Sequence, residues 1–313
     1  MSVTGSKNTD DAALSLWALH QRSAADWRAL FRQRPGEGLA WIRFAAGHGF
    51  RAAQLVLGQM HLDGHGVARD PAQAYRWFSR AAAIGSLEAR NMVGRCHELG
   101  WGVPIDEAEA LRHYRRAAAG GLAWAQYNVG CLLLYGTGVR RDHAQAFASF
   151  SRAAAQGHAK AQGLLGRCHE EGWGTAVDRE AGVACYTLAA DGGDCWAALN
   201  LGLLRAEAGR GVEAEALFRR ALDTATPNCH RAIAATLTHV TDAGFQAIAA
   251  EATARAGTVE RCPAPAHATL RPATASSARS LHLDGAILLG FVLGRTHARR
   301  RRISRVATGA PRG

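Results

Sequence analysis

Glycines return along this chain at a fixed step of 36 residues, and that spacing constrains the fold more than any other feature. Gly58, Gly94, Gly130, Gly166 and Gly202 form one series, Gly64, Gly100, Gly136 and Gly172 a second, and Gly66, Gly102, Gly138 and Gly174 a third. Gly85, Gly121, Gly157 and Gly193 close each copy. Ala53, Asp70 and the pair Ala81-Ala82 recur at the same step, as does an aromatic at Phe78, Tyr114, Phe150 and Tyr186. A period between about 20 and 50 residues implies stacked supersecondary units, none able to bury its apolar face alone.

Within one copy, Ala53, Leu57, Met60 and His61 stand at i, i+4, i+7 and i+8, which places them on one face of a helix running from about 51 to 63. Gly64 is suited to the left-handed residue that ends such a helix. Asp70 is then expected to cap a second helix whose first turn accommodates Pro71. The second helix carries Ala74, Trp77, Phe78, Ala81 and Ala82 as its stripe, and the paired alanines permit a close helix approach.

The period divides the chain. Residues 1–36 read as a polar segment and capping helices, with Leu14, Trp17, Trp27 and Leu30 at helical spacing. Residues 37–222 read as the repeat array: a half repeat marked by Trp41, Ala45, Ala46 and Gly49, four full repeats, and a fifth in which Phe218 and Ala221 arrive four residues early. Residues 223–256 offer one more helix pair. Residues 257–313 read as a disordered Pro/Ala-rich linker and basic tail.

Charge follows the same division. The formal +11 looks like a nucleic-acid signature until ten Arg after residue 256, against only Glu260 and Asp284, are set apart; the remaining chain carries +3. Nucleic acid is therefore not expected as a partner. Leu281–Gly294 is apolar apart from His282 and Asp284 and precedes an Arg run, but 14 residues fall short of the roughly 20 a spanning helix needs. A membrane-surface contact through the tail is the alternative to a soluble role. Asp10 and Asp11 interrupt the apolar region a signal peptide requires, so the expected location is cytoplasmic. The predominance of Arg, 35 residues against Lys7 and Lys160, suggests a GC-rich bacterial source.

Seven cysteines without recurrent pairing argue against a disulfide framework. The runs Cys96-His97-Glu98 and Cys168-His169-Glu170 resemble metal sites, yet adjacent helical residues point about 100° apart and the two runs lie two repeats from each other. They read as packing residues. No phosphate loop, nucleophile elbow or dinucleotide fingerprint occurs, so no enzyme activity, cofactor or metal is expected.

The string Ala53, Leu57-Gly58, Gly64-His65-Gly66-Val67, Asp70, Ala74, Phe78, Ala81-Ala82 and Gly85, with its copies, resembles the Sel-one-like repeat, a relative of the tetratricopeptide repeat, over roughly residues 37–222. The resemblance implies an all-α, right-handed superhelical solenoid of antiparallel helix pairs. It also implies an adaptor or scaffold for a protein or peptide partner, in bacterial signalling, envelope or host-interaction pathways. In related superhelices the first helix of each pair lines the concave groove. The positions turned away from the 53/57/60/61 stripe vary between copies and become the expected binding face. They are Leu55, Asn91 and Tyr127 at one position, and Gln59, Arg95, Cys131 and Arg167 at a second. Trp124, Lys160 and Trp196 occupy a third, Glu98 and Glu170 a fourth, and Tyr135 a fifth. Trp124, Tyr127 and Tyr135 are expected to fall close together there.

Overall fold

A computed structural model describes Leu30 and residues 33–257 apart from Thr137, His239 and Thr241. The capping helices expected before residue 33, and the linker and basic tail after Gly257, lie outside the described residues. Thirteen helices follow one another with no strand among the described residues: α1 (Pro35–Gly47), α2 (Arg51–Asp63), α3 (Pro71–Ala83), α4 (Leu87–Leu99), α5 (Glu107–Ala119), α6 (Ala123–Tyr135) and α7 (His143–Ala155), then α8 (Ala159–Glu171), α9 (Arg179–Asp191), α10 (Cys195–Glu207), α11 (Gly211–Asp223), α12 (Pro227–Leu237) and α13 (Ala243–Gly257).

The chain forms two compact units, one reaching Ala125 and the other starting at Gln126. In the first, α2 packs on α3 and α4 on α5, with α3 against α4 between them. In the second, α8 packs on α9, α10 on α11 and α12 on α13, while α7 and α9 lie against the first helices of the pairs that follow them. The helix bounds agree with the periodicity to within a residue or two, including the shortened connection before α11.

Local chemistry accounts for each bend. Gly64 ends α2 in the left-handed conformation at φ +78°, which a Cβ would oppose. Asp70 caps α3, its carboxylate accepting the Ala72 and Gln73 N–H groups at 3.0 Å. Asp106, Asp142 and Asp178 cap α5, α7 and α9 in the same way. The N–H of each capping Asp donates back across the loop, to the carbonyls of His61, His97, Leu133 and His169, at 2.7 to 2.9 Å. The connection between two helices is thus closed by a backbone hydrogen bond spanning nine residues.

The core explains why two of the periodic series exist. Phe78, Tyr114, Phe150, Tyr186 and Phe218 are fully buried, and each ring sets its Cδ1–Cε1 edge against the glycine of the preceding helix, from Gly58 to Gly202. A Cβ on any of these five glycines would stand 2.5 to 2.9 Å from a ring carbon. Glycine is required here for closeness, not for backbone freedom. Ala74, Ala81, Ala110, Ala117, Ala146 and Ala153 are likewise fully buried, completing a seam of small residues between paired helices.

Candidate protein-binding groove

In the second unit the first helices of three successive pairs, α6, α8 and α10, present one end to a shared pocket. Its origin lies in one residue. The position that carries Tyr127 in α6 and Leu199 in α10 is Gly163 in α8, and the missing side chain leaves a floor bounded by Asp194 and Ala197. Tyr127, Lys160, Arg167, Trp196 and Asn200 stand around that floor.

Each wall residue has a structural reason for its place. Tyr127 is buried, stacked on His158 at 5.0 Å and tilted against Phe150 at 6.2 Å. His158 precedes α8 and caps it, Nδ1 accepting the Ala161 N–H at 3.2 Å. Arg167 is 5% exposed, with its guanidinium 5.1 Å from the Trp173 ring centre. Asp194 caps α10 by accepting the Ala197 N–H at 2.7 Å. Burial pushes its carboxyl above the usual range, while the Ala197 hydrogen bond and the Lys160 ammonium pull the other way. Two cations against the single carboxyl of Asp194, with two aromatic faces beside them, suit a carboxylate on an apolar stem; among the lining residues no nucleophile is paired with a base.

Four of the residues expected at the binding face, Tyr127, Lys160, Arg167 and Trp196, therefore meet at one pocket. Others stand elsewhere. Gln59 is exposed and donates to Asp63 at 2.7 Å; Arg95 lies over Trp101 at 4.9 Å; Trp124 is half-exposed; Cys131 is half-buried. Glu98 and Glu170 accept hydrogen bonds from the Tyr114 and Tyr186 hydroxyls, the latter at 2.9 Å, and so serve the helix pair rather than a free face. Tyr127 and Tyr135 do not converge: eight residues separate them along one helix, roughly 12 Å of rise. The Tyr135 hydroxyl is buried, which raises its pKa above the ordinary phenol value.

The position of Leu55, Asn91 and Tyr127 also needs correction. Asn91 and Tyr127 are buried and Leu55 packs against the Phe78 core, because this row faces neighbouring helices of the stack as well as the partner helix. A solenoid helix has two neighbours besides its pair, so variable positions are not automatically solvated. Asp194, Asn200 and Gly163 escaped sequence reasoning, although Gly163 is the one glycine in its row. The Cys-His-Glu runs do splay apart as expected, with Cys96 buried and Glu98 turned to Tyr114. His97, however, approaches Glu109 and His113 of α5 closely enough for a shared metal ion.

Residues 51–86, 87–122, 125–158 and 159–194 each match the Sel1 repeat family model. The chain carries four consecutive Sel1 repeats. A Sel1 repeat protein from Oxalobacter formigenes is similar in structure, with a TM-score of 0.63 and 24% identity, over 76% of this chain and 100% of that one. A protective antigen of uropathogenic Escherichia coli strains, described as displaying an SLR fold, gives a TM-score of 0.59 at 26% identity, over 74% of this chain and 52% of that one. This Sel1-like chain thus spans about half the length of that antigen. No protein of curated function matches it. Sel1 repeat proteins generally act as protein-interaction scaffolds, and no described helix is long and apolar enough to cross a membrane.

Proposed function

We propose that this Sel1-like chain is a non-enzymatic scaffold that holds a protein partner on the first-helix face of its second unit. The partner would place a carboxylate-bearing side chain, or a chain terminus, in the pocket between Tyr127 and Trp196. The observation that carries the reading is the pocket itself: a glycine gap walled by two aromatics and flanked by Lys160 and Arg167. Aromatic residues and Arg in a partly desolvated hollow are what binding hot spots are made of. We infer a reducing, cytoplasmic setting, in which the six described cysteines would form no disulfide.

The test begins with capture on the immobilised chain from native lysate, mass spectrometry of what is retained, and titration calorimetry with the purified partner. Trp196→Ala and Lys160→Glu both alter side chains that are not fully buried. Each is expected to weaken binding by about 1 kcal/mol or more with an unchanged melting curve. Lys160→Glu should also reduce the salt dependence of the affinity. If both variants bind the partner as tightly as the parent, the binding surface lies elsewhere.

A further inference from the structure

We propose that His97, Glu109 and His113 form a binding site for a divalent transition-metal ion of the zinc class, fastening together the two helices of the second full repeat. Each residue offers one ligand atom, and the three atoms all lie within 4.8 Å of one another. Three bonds of about 2.0–2.2 Å in tetrahedral geometry place neighbouring ligand atoms about 3.3 Å apart. His113 Nε2 already stands 3.0 Å from Glu109 Oε1. Closing the site therefore asks the α5 pair to open by a few tenths of an ångström and His97 to swing inward, a movement within reach of side-chain rotation.

The fold prepositions all three. Glu109 and His113 are four residues apart on α5 and share a face. His97 occupies the last turn of α4, and its carbonyl accepts the Asp106 N–H at 2.9 Å. The Asp106 carboxylate in turn accepts the Glu109 N–H at 2.9 Å. One nine-residue loop thus fixes the separation of the ligands from both ends. A Glu three residues after a capping Asp ordinarily reaches back to the cap, but here its carboxylate is turned to Arg112 and His113. The His97 and His113 rings lie parallel, 5.7 Å apart, and Tyr75 stands edge-on to His97.

The chemistry of the site suits an ion. His113 and Glu109 expose only 20% and 23% of their side chains, so the site is sheltered while one coordination position stays open to water. Both histidines bury an Nδ1 atom without a hydrogen-bond partner, a feature His97 shares with His61 and His169 of the neighbouring repeats and that does not itself mark the site. Arg112 competes for one carboxylate oxygen. Two imidazoles and a carboxylate favour Zn²⁺, Co²⁺ or Ni²⁺ over the all-oxygen cations Mg²⁺ and Ca²⁺.

The repeats supply an internal control. The equivalent positions read His61, Gln73 and Trp77 in the first full repeat, Leu133, Gln145 and Ser149 in the third, and His169, Ala181 and Cys185 in the fourth. Helix pairs of the same design form around all of them, so the fold itself does not require the His-Glu-His set.

The experiment uses the untagged full chain, stripped with chelator and titrated with ZnCl₂ in a calorimeter and in thermal melts. One saturable equivalent is expected, with a melting midpoint raised by about 5 °C at a hundredfold excess over Kd. Chelator should reverse the shift, and Mg²⁺ or Ca²⁺ at the same concentration should leave it absent. His97→Gln and His113→Ala should each abolish this equivalent, and Glu109→Gln should weaken it roughly tenfold or more. His169→Ala should bind as the parent does, and circular dichroism of each variant checks that the helices persist. Absence of saturable uptake by the parent overturns the proposal. So does uptake that survives His97→Gln and His113→Ala, or that His169→Ala removes.

Discussion

A single hydrogen in place of a methyl group decides how closely two helices of a repeat can approach. At Gly130 an added Cβ would stand 2.5 Å from Phe150 Cε1, and that ring is itself fully buried. Gly130→Ala is therefore expected to lower stability by about 1–3 kcal/mol, as overpacked cores do. Gly47→Ala, in the last turn of α1 with nothing within 4 Å, should instead be neutral or stabilise by up to about 1 kcal/mol. Denaturant melts that rank the two variants the other way would contradict the ring-against-glycine contact. Both members of that contact were visible in the sequence as periodic series, but their meeting was not. Which row of one helix faces which row of the next depends on the crossing geometry, and a period of 36 residues does not encode it. The pocket was half-legible for the same reason: Tyr127, Lys160, Arg167 and Trp196 could be picked out by their variability, whereas Asp194 was hidden in the role of a helix cap.

At the scale of the element, the second helices of the repeats share one start signal and the first helices do not. Asp70, Asp106, Asp142 and Asp178 cap α3, α5, α7 and α9, so those boundaries could be read directly. The first helices use Ser86, His158 and Asp194, and α2 has no side-chain cap at all. His158 makes α8 sensitive to pH. Its Nδ1 can accept the Ala161 N–H only when unprotonated, and burial, then the charge of Lys160, hold its pKa below the ordinary imidazole value. The unfolded chain takes up this proton near pH 6.5 and the folded chain only at lower pH. Its contribution to stability is thus present above about pH 6.5 and is lost as the pH falls through the folded value. His158→Asn keeps a capping oxygen without the titration. Going from about pH 7.5 to pH 5, the midpoint of the variant should gain on that of the parent; parallel curves would mean that the cap does not titrate.

Across the whole molecule, stability is a sum over neighbours. Phe218 packs against Gly202 and meets Phe245 edge-on at 5.1 Å, tying α10 and α11 to the closing pair α12 and α13. Phe218→Ala should open a cavity costing about 3–5 kcal/mol. Native-state hydrogen exchange should then show lost protection in α10 to α13 while the amides of α2 to α5 keep theirs. Equal loss in both regions would show that the chain unfolds as one cooperative block and not by neighbouring pairs.

The loop hydrogen bonds carry a further consequence, for the order of events during synthesis. Asp70 answers to His61 only nine residues earlier, Tyr114 to Glu98 sixteen earlier, and Gln156 to Gln126 thirty earlier. None of these contacts waits for distant chain, so the entropy of closing long loops is never incurred. At about 5–20 residues per second a ribosome completes one 36-residue copy in roughly 2 to 7 seconds, long beside the microseconds in which helices form and loops close. Each copy can settle onto its predecessor before the next leaves the exit tunnel, and only the newest apolar face is ever exposed to the cell.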